Sequence, residues 1–146
     1  MANGVTTAAA ATTVMLGALV LGGCGADDPY CVAVETHQKS LDSFGAKRSD
    51  DAYASYAKAL ASISKVAPTP VDEEWTTLTR ATKGVVTAQR DVGFALQDMA
   101  DEDKRTALSA GDIEVLNKAY TQFNDTTPQR RAIVTDVKKT CDIQLK

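Results

Sequence analysis

The chain has 146 residues, a formal net charge of −3 at pH 7, one histidine and three cysteines. Its mild acidity argues against a nucleic-acid partner, which would require a basic surface, and against charge-driven binding to anionic lipid. The length suits one domain with its own hydrophobic core, so no second domain is needed.

The first 26 residues carry no Asp, Glu, Lys, Arg or His, so the chain has two unlike parts. The strongly apolar run in this part covers only residues 14–21, whereas a membrane-spanning helix needs about 20 consecutive apolar residues. A secretory signal peptide therefore fits better, although no Lys or Arg precedes the run. A non-cleaved anchor and an ordinary secretory signal are the alternatives.

The apolar run ends in Leu21, Gly22, Gly23 and Cys24, which resemble the lipobox of bacterial lipoproteins. This resemblance implies that a membrane peptidase cleaves between Gly23 and Cys24 and that the Cys24 thiol carries a diacylglyceryl group. Cys24 is thus the expected lipidation site.

Three segments follow from this assignment. Residues 1–23 are the signal peptide, residues 24–30 are the lipidated tether, and residues 31–146 are the folded domain. Six residues lie between Cys24 and Cys31, so the domain would stay within about 20 to 25 Å of the bilayer. We expect a lipid-anchored protein on the extracytoplasmic face of the cell membrane.

The two remaining cysteines, Cys31 and Cys141, form an even pair in a chain exported to an oxidising compartment. We expect a disulfide between them. It would close a loop of about 110 residues, for which chain entropy gives roughly 4 to 5 kcal/mol. A free thiol pair or a metal site is the alternative, but two lone thiols make a poor zinc site.

Two helices are predicted after the tether, because bulky residues recur every three or four positions. Gly45 is expected to end the first helix, and Ser49 to cap the second. The predicted buried residues are Tyr30, Val34, His37, Leu41 and Phe44 in the first helix, and Tyr53, Tyr56, Leu60, Ile63 and Ala67 in the second.

A longer third helix follows Pro68, with Thr69 as the expected N-cap and Pro70 in the first turn. The polar members of its stripe, Thr82 and Gln89, need hydrogen-bond partners if they are buried. The whole stripe consists of Val71, Trp75, Leu78, Thr82, Val85, Gln89, Val92, Leu96 and Met99.

Two more helices complete the prediction. Gly111 and Asp112 open one, and Thr127 with Pro128 opens the last. Their expected buried residues are Ile113, Leu116, Tyr120 and Phe123, then Ile133 or Val134, Val137, Cys141 and Leu145. No strand-like alternation is present, so the sequence predicts an all-α, up-and-down bundle of four or five helices.

The ending Cys-Asp-Ile-Gln-Leu, together with the early Cys31 and the lipobox, is also similar to uncharacterised small helical lipoproteins of actinobacteria. In that group an early and a late cysteine bracket a helical domain. The resemblance implies a membrane-tethered protein outside the cytoplasm and implies no activity.

Candidate catalytic and metal-binding residues are few. His37, the single histidine, falls on the predicted apolar stripe and is interpreted as a packing residue. The acidic groups Asp72, Glu73, Glu74 and Asp98, Asp101, Glu102, Asp103 lack the ligand spacing of an EF-hand and are interpreted as solvated helix ends. No nucleophile motif or phosphate-binding loop is present. We expect no enzyme, no cofactor and no metal.

The function expected from the sequence is a non-catalytic interaction or accessory module at the cell envelope, with an envelope protein as partner and no nucleic acid. The alternative is a lipoprotein that binds a small molecule or lipid in a cavity between helices. Thr82, Gln89 and the aromatic residues suggest that cavity, although each aromatic residue also fits the core.

Overall fold

Five helices of 14 to 24 residues and one short helix make up the fold in the computed structural model, which describes residues 28–46 and 49–146. No strand occurs in these ranges, so the predicted all-α bundle is confirmed. The helices are α1 (Pro29–Asp42), α2 (Asp50–Ile63), α3 (Thr69–Val92), α4 (Glu102–Thr106), α5 (Ala110–Asn124) and α6 (Thr127–Cys141), with a 3₁₀ turn at Leu96–Ala100. Within the described ranges, no helix combines the length and apolarity needed to cross a bilayer.

Helix α3 is the central element and packs against α2, α5 and α6, while α1 packs against α2 and α6. Gln89, near the end of α3, bonds Tyr120 of α5, whereas Trp75, near its start, lines the same cleft as Ile133 of α6. Helices α5 and α6 therefore run back along α3 one after the other. Together they take the place of a fourth long helix beside α1, α2 and α3, with an interruption at Asp125 and Thr126.

Side-chain caps begin four of the helices, among them α4, where Asp101 accepts from Lys104 N. Asp28 accepts hydrogen bonds from the first backbone N–H groups of α1, and Ser49 caps α2 as predicted. Helix α5 begins at Ala110, one residue before the predicted opening at Gly111 and Asp112. Ser109 is the N-cap, and its hydroxyl and the Asp112 carboxylate form a reciprocal capping box.

The predicted caps at Thr69 and Thr127 are each displaced by one residue. The first carbonyls to accept helical hydrogen bonds belong to Pro68, from Val71 N, and to Thr126, from Arg130 N. The proline that follows each threonine therefore sits at the second helical position, where its missing N–H has no intrahelical role.

Helix α3 ends at Val92, although the predicted stripe continues to Met99. Gly93 adopts the left-handed conformation with φ 70°, and its neighbour Phe94 donates to the Gln89 carbonyl. The chain then turns, so that Leu96 is buried but Met99 is 49% exposed. Burial of Met99 was a wrong prediction because a heptad pattern does not reveal where the helix stops.

The core otherwise matches the predicted stripes. Helix α1 ends at Asp42 rather than at Gly45, which lies in the following turn. Ile113 is 43% exposed and its predicted burial is wrong. Buried as predicted are Tyr30, Val34, Tyr53, Tyr56, Leu60, Ile63, Val71, Trp75, Leu78, Thr82, Val85, Gln89, Leu96, Leu116, Phe123, Ile133, Val137 and Leu145. Half-buried are His37, Leu41, Phe44, Ala67, Val92, Tyr120, Val134 and Cys141.

Candidate functional site

The predicted pair Cys31 and Cys141 is joined in a disulfide, with the two Cα atoms 5.3 Å apart. Cys31 lies in the first turn of α1, and Cys141 is the last residue of α6. The bond therefore fixes two helix ends that are 110 residues apart in sequence. We call this part of the molecule, where α1 and α3 begin and α6 ends, the disulfide end.

A buried polar relay lies next to the disulfide and connects three helices. Trp75 Nε1 donates to Tyr30 Oη at 3.0 Å, and Tyr30 Oη donates to Asp136 Oδ2 at 3.0 Å. Burial raises the pKa of Tyr30 above its ordinary value, and donation to the Asp136 carboxylate adds to the increase, while the Trp75 N–H opposes it. The relay holds the start of α1 against α3 and α6.

The expected lipidation residue Cys24, the cleavage position at Gly23 and the signal peptide 1–23 lie outside the described residues. The tether predicted at 24–30 partly overlaps the fold, because α1 already begins at Pro29. Only residues 25–28 thus separate Cys24 from the first helix. Such a link spans at most about 17 Å when fully extended.

A cleft of about 90 Å³ opens between α1, α2, α3 and α6. Its walls are largely apolar, and Arg130 and Lys146 are the charged residues among them. The lining residues are Leu41, Tyr56, Leu60, Trp75, Leu78, Arg130, Ile133, Val134, Leu145 and Lys146. Pockets for drug-sized ligands are usually about 300 to 1,000 Å³, so the cleft is small as it stands.

Thr82 and Gln89, the polar residues that suggested a cavity, do not line this cleft. Thr82 Oγ1 donates to the Leu78 carbonyl at 2.8 Å, and Gln89 Nε2 donates to Tyr120 Oη at 3.0 Å. Their hydrogen bonds are made within the bundle, as burial requires. These two residues therefore mark helix contacts rather than a ligand site.

Residues 142–146 follow α6, and the last two, Leu145 and Lys146, line the cleft; we call this segment the strap. Leu145 is only 7% exposed and forms part of the cleft wall. Gln38 Nε2 of α1 donates to the Gln144 carbonyl at 3.2 Å, and Lys146 N donates to Asp42 Oδ1 at 2.8 Å. The strap thus runs along α1 in the same direction.

The residues considered for metal binding lie apart from this cleft. His37 is half-buried on α1. Asp98 accepts from Ala95 N and Lys104 Nζ, and Asp101 accepts from Lys104 N, so these carboxylates act at helix ends as interpreted from the sequence. Within 28–46 and 49–146, no three His, Cys, Asp or Glu side chains are grouped closely enough to hold a metal.

The outer face of α5 carries a shallow depression of about 570 Å³ lined by residues of that helix alone, among them Ile113, Glu114 and Lys118. Ile113 is 43% exposed. The face is open to solvent and combines this exposed aliphatic side chain with both signs of charge.

No protein-family model matches the chain, and no curated protein or solved structure matches it either. The sequence pattern placed Leu145 on the last helix, which is wrong because α6 ends at Cys141, and it gave no sign of the strap or of its contacts with Gln38 and Asp42. The alternation of apolar Ile143 and Leu145 with polar Gln144 and Lys146 indicates an extended segment, but four residues are too few for a clear pattern.

Proposed function

We propose that the protein is a lipoprotein of the cell envelope, anchored through Cys24 on the extracytoplasmic face of the membrane, and that its bundle is a non-catalytic interaction module. The observation that carries the proposal is the Cys31–Cys141 disulfide. Disulfides form and persist in oxidising compartments. With two cysteines joined, the third stands alone in Leu-Gly-Gly-Cys, directly after an uncharged apolar segment.

The short link supports a function close to the membrane. Residues 25–28 allow the start of α1 to move no more than about 17 Å from a lipid-bearing Cys24. Two acyl chains are enough for stable anchoring without a basic patch, which agrees with a net charge of −3. A partner on the outer face of the membrane, such as an envelope enzyme or a transporter, is within reach.

The alternative of a ligand cavity between helices draws less support. The cleft leaves only about 90 Å³ of free space beside the buried Leu145 side chain. Thr82 and Gln89, which suggested a cavity, have partners inside the bundle. A protein that acts through its surface agrees better with this packing.

Fractionation of cells that express the full chain tests the anchor. The unaltered protein should sediment with membranes, and Cys24→Ala should move it to the soluble fraction or leave the precursor uncleaved. Cys31→Ala/Cys141→Ala is the matched control, because it removes two thiols but keeps the lipobox, and it should still sediment. Membrane association of Cys24→Ala in mature form, or a soluble unaltered protein, would contradict the proposal.

A further inference from the structure

The strap occupies its groove in the manner of a bound peptide. Side chains of α1 recognise its backbone, since Gln38 Nε2 donates to the Gln144 carbonyl and Asp42 accepts from Lys146 N. These two backbone groups flank Leu145, whose side chain is buried in the cleft. The groove therefore binds one apolar side chain and forms hydrogen bonds with the peptide groups on either side of it.

The dimensions of the groove suit an extended segment. From Gln38 to Asp42, α1 rises by about 6 Å, and the two extended steps from Gln144 to Lys146 cover about the same distance. Ile143 and Leu145 turn towards the protein, whereas Gln144 and Lys146 are exposed, which is the alternation of an extended chain. The cleft keeps about 90 Å³ beside Leu145, so a side chain larger than leucine also fits.

The contacts that hold the strap would allow it to leave the groove and another peptide segment to take its place. Both of its hydrogen bonds with α1 are exposed to solvent, and such bonds compete with water and add little. Its first residue, Asp142, adopts the left-handed conformation at φ 56° and pairs with Lys138. Rotation at Asp142 would lift residues 143–146 away while the disulfide and the helices stay in place.

We propose that this groove binds an extended peptide segment of a partner protein, which inserts an aliphatic side chain in place of Leu145 and uses the same contacts with Gln38 and Asp42. Arg130, at the edge of the cleft, stands over the Phe123 ring and favours an acidic residue nearby in the peptide. This proposal states what kind of segment the interaction module binds. It rests on the proposed function in one respect, that the bundle acts by binding a protein.

A labelled peptide with the sequence of the strap, acetyl-Asp-Ile-Gln-Leu-Lys-amide, tests the proposal on the full chain. The single tryptophan, Trp75, lines the cleft and reports occupancy through its emission. Leu145→Gly removes the competing side chain, so the peptide should bind this variant about tenfold to 100-fold more tightly than the unaltered protein. Gln144→Ala is the matched control and should bind like the unaltered protein. A peptide with glycine in place of leucine should bind none of them.

Equal affinity of the unaltered protein and Leu145→Gly, or equal binding of the two peptides, would overturn the proposal. A dimer of the unaltered protein that Leu145→Gly abolishes would also overturn it, because a second copy would then supply the strap. If Leu145→Gly loses its helical circular dichroism, excess peptide on the unaltered protein must instead accelerate hydrogen exchange at Lys146 N. A negative result in the peptide experiment would not change the sedimentation of the protein with membranes, so the groove and the lipid anchor are tested independently.

Discussion

Reduction of the Cys31–Cys141 disulfide should destabilise the domain strongly. The bond closes a loop across a sequence separation of 110 residues, and the chain-entropy relation gives about 5 kcal/mol for a loop of that size. Native disulfides measured in small domains contribute about 2 to 5 kcal/mol. Since 1 kcal/mol corresponds to roughly 4 °C in a domain of this size, Tm should fall by about 8 to 20 °C.

Thermal unfolding followed by helical circular dichroism, with and without reductant, measures this change. Urea unfolding adds a second reading, because a longer unconstrained unfolded chain exposes more surface and should increase the m-value after reduction. Cys31→Ala/Cys141→Ala should reproduce the lower Tm and no longer respond to reductant, whereas Cys24→Ala should respond fully. A Tm decrease below about 3 °C, or alkylation of Cys31 and Cys141 before reduction, would refute the reasoning.

Two further predictions concern glycine positions and alkaline pH. Gly84 lies inside α3 with no atom near the place of a Cβ, so Gly84→Ala should raise the unfolding free energy by about 0.5 to 1 kcal/mol. Gly93 has φ 70°, so Gly93→Ala should lower the unfolding free energy by about 1 kcal/mol. Urea unfolding measures both changes, and a change of the same sign in the two variants would contradict this prediction. Burial raises the pKa of Tyr56 to about 12 and also raises that of Tyr30, so the fold favours the neutral phenols. That stabilisation is complete below a pH of about 10 and is lost as the pH rises towards the folded-state values. Tyr56→Phe should therefore shift the alkaline midpoint of helix loss upward, and a pH titration that finds an unchanged or lower midpoint would count against the assignment.

The sequence predicted those parts of the fold that depend on local patterns. The apolar stripes of α2 and α3 and the cap at Ser49 follow from spacing and from the chemistry of a short polar side chain. The disulfide followed from the number of cysteines and the compartment rather than from geometry. These inferences needed no knowledge of how the helices pack.

Contacts that join distant residues were not predictable in the same way. The strap meets Gln38 and Asp42 across more than 100 residues, and no periodic pattern connects them. The same holds for the relay from Trp75 through Tyr30 to Asp136. The end of α3 was missed for a different reason: apolar spacing continues past Gly93, although glycine in the left-handed conformation ends the helix there.

The most direct test of the central claim is the intact mass of the protein extracted from membranes. The account predicts a chain that begins at Cys24 and carries the added mass of a diacylglyceryl group, with two further hydrogens gained only after reduction. A water-soluble chain of unmodified mass, or one that retains residues 1–23, would contradict it.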